Sequence, residues 1–258
     1  MKAGFVDIHS HILPGIDDGS SSFEESLEML KVAAASGTAC IVGTPHANSQ
    51  FTYDRAAAQV LIDQLRPLAP PDLEIELGCD FHLTYENVRQ AIAAPGSFTI
   101  ASGPYLLVEF SDFNIPPNTE AAFDQLQRAG LIPIVTHPER NPLLRDSTDR
   151  LRRWVDSGNY LQLTAQSILG RWGADARSSS LRWLNEGLVH FVASDAHDPE
   201  GRPPRLDAAF EFLSAQYGEE LAGLLTIHHP AAVVAGYRLD AGPLPKPQIP
   251  KKWYQFWR

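Results

Sequence analysis

Short runs of apolar, often β-branched residues recur along the chain and alternate with longer amphipathic stretches. Most of these runs are continuously apolar, as expected for parallel strands that are buried on both faces. The pattern predicts seven strands, at Phe5–Ile8, Ala39–Thr44, Leu73–Leu77, Tyr105–Phe110, Ile132–Thr136, Tyr160–Leu163 and Phe191–Ala193.

The stretches between these strands have the periodicity and the end residues of helices. Ser22 followed by Glu25 is typical of a helix N-terminus, and Gly37 is placed to end that helix. Further helices are predicted at 54–68, 119–129, 148–156, 180–185 and 206–217. Seven strands with intervening helices indicate an α/β fold. A closed or nearly closed barrel is the first expectation, and an open doubly wound sheet is the alternative.

Imidazole and carboxylate side chains follow almost every predicted strand. In a βα barrel the carboxyl ends of the strands meet at one face, where active sites are built. The sixth strand is the exception, because it ends in the uncharged Gln162 and Thr164. We therefore expect one site to contain the side chains at the other strand ends, namely His9, His11, His46, Asp80, Glu109, His137, Asp195 and His197.

This combination of side chains indicates a metal cluster. Neutral imidazole binds transition metals well, and His9 and His11 lie on the same face of an extended segment. Together with Asp18, five histidines and four carboxylates exceed the needs of one ion, which predicts two or three ions and a bridging carboxylate. The remaining histidines are interpreted as hydrogen-bonded or core residues: His82, His190, His228 and His229.

Composition narrows the class of protein further. The 258 residues are 44% hydrophobic and 20% charged, which is typical of one globular domain, and no apolar run approaches the length of a membrane helix. A net charge of −10 argues against a nucleic acid as the main partner. The charged residue Asp7 lies where the apolar core of a signal peptide would begin, so this N-terminus does not fit the pattern of a signal peptide. Two cysteines, Cys40 and Cys79, indicate a reducing, cytoplasmic location.

Longer segments accompany the candidate ligands, in a fixed order along the chain. They are Asp-Ile-His-Ser-His-Ile-Leu-Pro-Gly-Ile-Asp-Asp-Gly at 7–19, Thr-Pro-His at 44–46, Val-Glu-Phe-Ser at 108–111, His-Pro-Glu-Arg at 137–140, Ala-Ser-Asp-Ala-His at 193–197 and Gly-Arg-Pro-Pro at 201–204. Over about residues 5–238 the chain resembles the polymerase-and-histidinol-phosphatase (PHP) domain family. Within that family it is most similar to the CpsB/CapC/YwqE bacterial protein-tyrosine phosphatases.

The resemblance implies the PHP fold, a distorted seven-stranded (β/α)7 barrel of the TIM type, with a cluster of two or three ions. Manganese is the metal it implies, and iron or zinc also suits the donors. The first ion would take His9, His11, Asp80 and Asp195. The second would take Glu109 and His137 and share Asp80, and the third would take Asp18, His46 and His197.

One position departs from the family pattern. The bridging carboxylate in relatives such as the streptococcal enzymes is a glutamate, and here it is the shorter Asp80. His82 lies two residues further along the same strand face and is a candidate to assist.

The resemblance also implies the reaction. A metal-activated hydroxide would hydrolyse phosphotyrosine, while Arg140 and Arg202 grip the phosphate and neutralise its charge. The expected substrate is the phosphotyrosine tail of a bacterial tyrosine kinase that controls capsular or exopolysaccharide synthesis. Two alternatives stay open: a small-molecule phosphatase of the histidinol-phosphatase type, and a metal-free PHP module that binds or regulates.

The chain changes character near its end. Residues 1–240 are predicted to form the catalytic domain, and residues 241–258 a proline-rich tail with basic and aromatic residues. Such a tail can pack on its own domain or on a neighbouring subunit, or contact a membrane surface or the kinase. The sequence leaves the oligomeric state open, a homo-oligomer included.

Overall fold

Parallel β-strands form the centre of the molecule in the computed structural model, which describes residues 4–111 and 114–247. All strand pairings in this part of the chain are parallel. The strands are β1 (Phe5–Ser10), β2 (Thr38–Gly43), β3 (His46–Ala47), β4 (Glu74–Leu77), β5 (Asp80–His82), β6 (Tyr105–Glu109), β7 (Ile132–Thr136), β8 (Tyr160–Thr164) and β9 (Phe191–Ala193).

Two of the predicted strands are each followed, after an interruption, by a short second strand that was not predicted. Strands β2 and β3 are separated by Thr44 and Pro45, and β4 and β5 by Gly78 and Cys79. The first parts belong to the sheet β1-β2-β4, and the second parts to the sheet β3-β5-β6-β7-β8-β9. When each interrupted pair is counted as one strand, the order around the structure is that of the seven predicted strands.

Hydrogen bonds between β9 and β1 close the structure into a barrel. The backbone N–H of Asp195 donates to the carbonyl of His9 at 2.8 Å, and the N–H of His11 donates to the carbonyl of Ala196 at 2.8 Å. The buried Asp7 carboxylate accepts a further bond from the N–H of Ser194 at 3.0 Å. The closed (β/α)7 barrel is therefore confirmed over the open sheet, and the seam itself carries candidate ligands.

Helices surround the barrel and follow the strands in the expected alternation. They are α1 (Phe23–Ala35), α2 (Arg55–Leu65), α3 (Tyr85–Ala93), α4 (Thr119–Arg128), α5 (Pro142–Arg145), α6 (Thr148–Asp156), α7 (Ala165–Ile168), α8 (Gly173–Asn185), α9 (Asp207–Tyr217), α10 (Glu219–Gly223) and α11 (His229–Val234). The predicted cap of α1 is present, since the Ser22 side chain accepts from the N–H of Glu25. Five helices were not predicted, namely α3, α5, α7, α10 and α11. Helix α8 starts seven residues earlier than predicted, through a serine-rich stretch of weak helix propensity.

An apolar floor fills the barrel below the strand ends. One buried cluster draws alternate residues from β1, β2, β6, β7, β8 and β9, which places it inside the barrel. On β6 the floor residues Tyr105 and Leu107 are followed on the same face by Glu109, and on β8 the floor residue Tyr160 is followed by Gln162. The polar side chains therefore form the last interior layer, at the mouth of the barrel.

The described part of the predicted tail packs against the opposite end of the barrel. The N–H of Leu244 donates to the carbonyl of Gly187 at 2.7 Å, and His190 Nε2 donates to the carbonyl of Gly242 at 3.0 Å. Leu244 also contacts the main apolar cluster. The boundary predicted at residue 240 stays a prediction, and residues 248–258 lie outside the described residues. Across 4–111 and 114–247, the helices are too short or too polar to span a bilayer.

The contact between Gly187 and Leu244 leads to a stability prediction. Gly187 has φ +72°, and a Cβ there would lie 2.1 Å from the Leu244 carbonyl oxygen. We expect Gly187→Ala to lower the free energy of unfolding by about 3 kcal/mol, because a positive φ costs about 1–2 kcal/mol and the clash adds to it. Gly130→Ala is the control, since Gly130 has φ +85° and open space around its Cβ position. Equal losses in urea unfolding would show that the close contact with the Leu244 carbonyl adds nothing to the cost of the Gly187→Ala substitution.

Candidate metal centre

All nine predicted ligands converge at the mouth of the barrel. Asp80 Oδ2 lies 3.5 Å from His9 Nε2 and 3.2 Å from His46 Nδ1. The same His46 nitrogen is 3.4 Å from Glu109 Oε2, and Glu109 Oε1 is 3.5 Å from His137 Nε2. A chain of donor atoms thus links five residues that come from five different strands or strand ends.

The remaining four predicted ligands continue the same network. Asp18 Oδ1 lies 3.3 Å from His46 Nε2 and 3.5 Å from His197 Nε2. Asp195 Oδ1 lies 3.5 Å from the Nε2 atoms of both His9 and His11. Residues that are almost two hundred positions apart therefore share one cluster, as the barrel topology predicts.

Donor atoms within 4.8 Å of one another fall into four overlapping groups among the described residues. These groups are His11, Asp18, His46 and His197; His9, His11 and Asp80; His9, His137 and Asp195; and His46, Asp80 and Glu109. Their overlap is consistent with more than one ion. The groups do not reproduce the three sets implied by the resemblance, since His11 also joins the Asp18 group and His137 joins His9 and Asp195 instead of Glu109. That division therefore stays a prediction. His82 belongs to none of these groups.

Two candidate ligands have unusual backbone conformations. His137 has φ +32° and Asp195 has φ +52°, in the left-handed region that residues with a Cβ rarely adopt. Each follows the end of a strand, β7 or β9, and the turn directs its side chain across the mouth instead of continuing the pleat. Strained residues of this kind cluster at functional sites, where the surrounding structure holds them in place.

The charges of the cluster shift its pKa values in opposite directions. Burial lowers the pKa of His9, but the negative charges of Asp80 and Asp195 outweigh this and raise the pKa to about 9. Burial also raises the pKa of Asp80, but His9 and His46 hold that pKa well below its usual range. Glu109 has a raised pKa, because it is buried and faces the Asp80 carboxylate. The neighbouring imidazoles therefore keep the buried Asp80 carboxylate ionised.

Two polar side chains, those of Asp17 and Gln162, orient His9 and His11 at the end of β1, and their roles were missed in the sequence. His11 Nδ1 donates to Asp17 Oδ2 at 2.7 Å, and His9 Nδ1 donates to Gln162 Oε1 at 2.8 Å. Both bonds leave the Nε2 lone pair facing the cluster, as metal-binding histidines require. The acidic pair Asp17-Asp18 and the polar end of the sixth strand were visible in the sequence, but only their three-dimensional positions show these contacts.

The two predicted arginines lie at the rim of the cluster. Arg140 Nη1 pairs with Asp195 Oδ2, and Arg202 Nη2 pairs with the same oxygen at 2.7 Å. Both guanidinium groups also lie over the indole ring of Trp172. Beside Arg140, the buried Glu139 carboxylate accepts from the N–H of Thr164 at 2.9 Å, and burial raises its pKa to about 7. The rim thus presents two fixed positive charges next to the cluster.

Comparison with known proteins agrees with this geometry. Residues 5–235 match the family described as capsular polysaccharide synthesis, CpsB/CapC. The chain belongs to the CpsB/CapC family. The tyrosine-protein phosphatase YwqE of Bacillus subtilis is 35% identical over 225 residues, which cover 86% of this chain and 88% of YwqE. The tyrosine-protein phosphatase CpsB of Streptococcus pneumoniae is 28% identical over 239 residues, which cover 89% of this chain and 98% of CpsB.

Solved structures show the same relationship. A structure from a study of YwqE and S. pneumoniae CpsB, described as unique metal-dependent tyrosine phosphatases, superposes with a TM-score of 0.83 at 31% identity. The superposition covers 96% of this chain and 100% of the chain in that structure. The phosphotriesterase homology protein of Escherichia coli has a TM-score of 0.60 at 10% identity and covers 91% and 99% of the two chains. That second likeness shows the barrel fold alone.

Asp17 gives a prediction about metal affinity within this CpsB/CapC site. Asp17 Oδ2 accepts from His11 Nδ1 and from the N–H of His46, while Oδ1 accepts from Gly19. An asparagine keeps only one acceptor oxygen, so Asp17→Asn leaves a donor unpaired and His11 less firmly oriented. We expect Mn²⁺ affinity to fall about 10- to 100-fold, measured from free Mn²⁺ by electron paramagnetic resonance.

Asp54→Asn is the matched control for this prediction. Asp54 also accepts two backbone N–H groups, but at the start of α2, where asparagine is an equally good cap. Its Mn²⁺ affinity is expected to match that of the unchanged protein. If Asp17→Asn binds Mn²⁺ as tightly as Asp54→Asn, Asp17 does not orient a metal ligand.

Proposed function

We propose that this protein is a metal-dependent protein-tyrosine phosphatase that hydrolyses phosphotyrosine on a bacterial tyrosine kinase. The observation that carries this proposal is the single network of nine nitrogen and carboxylate donors with two arginines at its rim. The relatives YwqE and CpsB are named tyrosine-protein phosphatases, and the family is described by capsular polysaccharide synthesis. The kinase is therefore proposed to act in capsule or exopolysaccharide synthesis.

The residues present fit divalent cations. Asp80 Oδ2 and His46 Nδ1 are buried and 3.2 Å apart, yet within the described chain neither has a hydrogen-bond partner. A carboxylate oxygen and an imidazole nitrogen without partners are costly in a protein interior, and a cation between them would satisfy both. We propose two or three ions, held by His9, His11, Asp18, His46, Asp80, Glu109, His137, Asp195 and His197. Manganese is favoured because it accepts a mixed nitrogen and oxygen shell.

Each part of the site has a distinct task in phosphate ester hydrolysis. Bound divalent cations supply Lewis acidity and a nucleophile near neutral pH. Arg140 and Arg202 are placed to bind the phosphoryl oxygens, since a guanidinium can donate two parallel hydrogen bonds to one phosphate. The shared Asp195 carboxylate and the Trp172 ring hold the two guanidinium groups beside each other before substrate arrives.

The leaving group favours tyrosine over serine or threonine esters. A phenol has a pKa of about 10, so tyrosinate departs with less protonation than an alkoxide needs. An aryl phosphate suits this rim, because Arg140 and Arg202 can bind the phosphate and Trp172 offers an aromatic ring beside them. The two cysteines, Cys40 and Cys79, are buried and free, in line with a reducing location, and we propose that the protein acts in the cytoplasm.

The proposed function predicts a metal-dependent substrate preference. Protein loaded with Mn²⁺ is expected to hydrolyse a phosphotyrosine peptide, to lose this activity on chelation and to regain it when Mn²⁺ is added back. Phosphoserine peptide and histidinol phosphate are the comparison substrates. Faster turnover of histidinol phosphate would favour the small-molecule phosphatase, and a protein that binds no divalent metal would favour the metal-free module.

The arginines predict a selective loss of catalysis. Arg140→Lys and Arg202→Lys keep the charge but lose the planar pair of donors, so we expect kcat/KM for the phosphotyrosine peptide to fall about 10²- to 10³-fold. Metal content is expected to stay unchanged. Arg205→Lys is the control, because Arg205 pairs with the surface residue Asp207. Equal activity of all three variants would remove the arginines from the proposed mechanism.

A further inference from the structure

We propose that Trp172 is a specificity-determining residue, whose indole ring contacts the aromatic ring of an aryl phosphate bound at the arginines. This inference rests on the proposed phosphatase function and goes beyond it, because it assigns recognition of the substrate ring to one side chain. It predicts that Trp172 makes the site prefer aryl over alkyl phosphate esters.

Trp172 is in contact with both arginines at once. The guanidinium carbon of Arg140 lies 4.0 Å from the centre of the indole ring, and that of Arg202 lies 5.3 Å from it. Both guanidinium groups also reach one carboxylate oxygen of Asp195. The indole is therefore next to the place where two cations would hold a phosphate, and an aromatic face favours such cations without neutralising their charge.

The backbone of a tight turn places Trp172 beside the mouth of the barrel. Trp172 lies in the turn between α7 and α8, where the N–H of Arg171 donates to the carbonyl of Gln166 at 2.9 Å. Gly170, with φ +86°, and Gly173, with φ +90°, allow the tight path of the turn. This turn follows β8, the strand whose end carries neither a carboxylate nor an imidazole for the cluster. Its contribution to the mouth is the aromatic ring instead.

The exposure of Trp172 indicates a surface that is available to a ligand. Trp172 is 37% exposed, whereas Trp154 and Trp183, the other tryptophans in the described chain, are 1% and 0% exposed. The exposed part of the indole lies next to Arg140 and Arg202, so it is open to a group that is bound at these arginines. A bound aromatic group would cover that face.

The chemistry of a phosphate ester places its organic group within reach. In an aryl phosphate the ring is joined to phosphorus through one oxygen, so the first ring carbon lies directly beside the phosphate. Two aromatic rings interact favourably when their centres are about 4.5–7 Å apart. A ring bonded to a phosphate at Arg140 and Arg202 would lie in this range of the indole, whereas a methyl or serine side chain has no face to stack.

A second aromatic ring at the site serves a different purpose. Phe51 stacks on the candidate ligand His46, with ring centres 6.1 Å apart and planes 13° apart. Its contact is with the metal cluster and not with the arginines. Trp172 is therefore the better position to separate recognition of the substrate ring from metal binding.

Two phosphonates that differ only in their organic group provide the test. Phenylphosphonate and methylphosphonate are not hydrolysed as esters, so their dissociation constants can be measured by calorimetry on Mn²⁺-loaded protein. For Trp172→Ala we expect phenylphosphonate to bind about 3- to 10-fold more weakly, with methylphosphonate changed less than about 2-fold. Trp172→Phe is expected to keep most of the preference. Leu169→Ala, an exposed apolar residue in the same turn, is the control and should change neither constant.

The outcomes separate this inference from the proposed function. If Trp172→Ala weakens both phosphonates equally, Trp172 only positions the arginines, and if it weakens neither, the ring has no role; either result overturns the inference. Hydrolysis of phosphotyrosine peptide by the unchanged protein is measured in parallel. If the unchanged protein does not hydrolyse the peptide, but Trp172→Ala still removes the preference for phenylphosphonate, the proposed function is overturned. The contact between Trp172 and the phenyl ring is then still supported.

Discussion

Buried negative charge at the mouth of the barrel is the constraint on which the site depends. Asp80 and Asp195 are almost completely buried, and burial alone would favour their neutral forms. Imidazoles and guanidinium groups instead hold the pKa of both carboxyls well below the usual range, chiefly through His9 for Asp80 and Arg140 for Asp195. The fold can keep these carboxylates ionised only by supplying positive charge nearby. Protonated histidines and divalent cations are two ways to do so, and they compete for the same nitrogen atoms.

The barrel delivers the charges to one place through a simple rule of strand geometry. Alternate residues of each strand face the interior, so apolar residues fill the floor and the next inward position becomes a donor or its partner, as in Tyr105, Leu107 and Glu109. At two strand ends, the alternation of side chains does not by itself direct the candidate ligand towards the cluster. His137 and Asp195 adopt left-handed backbone angles, which turn their side chains across the mouth. The seam between β9 and β1 supplies the backbone bonds that hold Asp195 there.

This rule also explains how much could be predicted from the sequence. Apolar runs identified the strands, and the polar residues at the strand ends identified eight of the nine members of the cluster, because both depend on local spacing alone. Asp18 came instead from the segment that follows the first strand. Asp17 and Trp172 were missed in these roles, since each acts through a contact with a residue distant in the chain, His46 or Arg140. Helix α3 was missed because just two of its nine residues, Val88 and Ala91, are buried, so its apolar pattern is short. Long-range contacts and weak local preferences therefore account for the gaps.

Asp80 has a shorter side chain than glutamate, and its position is compatible with one carboxylate that is shared by two ions. Asp80 Oδ2 is the atom that lies near both His9 Nε2, at 3.5 Å, and His46 Nδ1, at 3.2 Å, so a single oxygen already faces two donor groups. The pairing of β3 with β5 places His46 and Asp80 directly opposite each other, which brings the backbone of Asp80 close to the cluster. A glutamate reaches the same point from further away. The interruptions that follow β2 and β4 place His46 and Asp80 at the first positions of β3 and β5, whereas His82 belongs to none of the donor groups among the described residues.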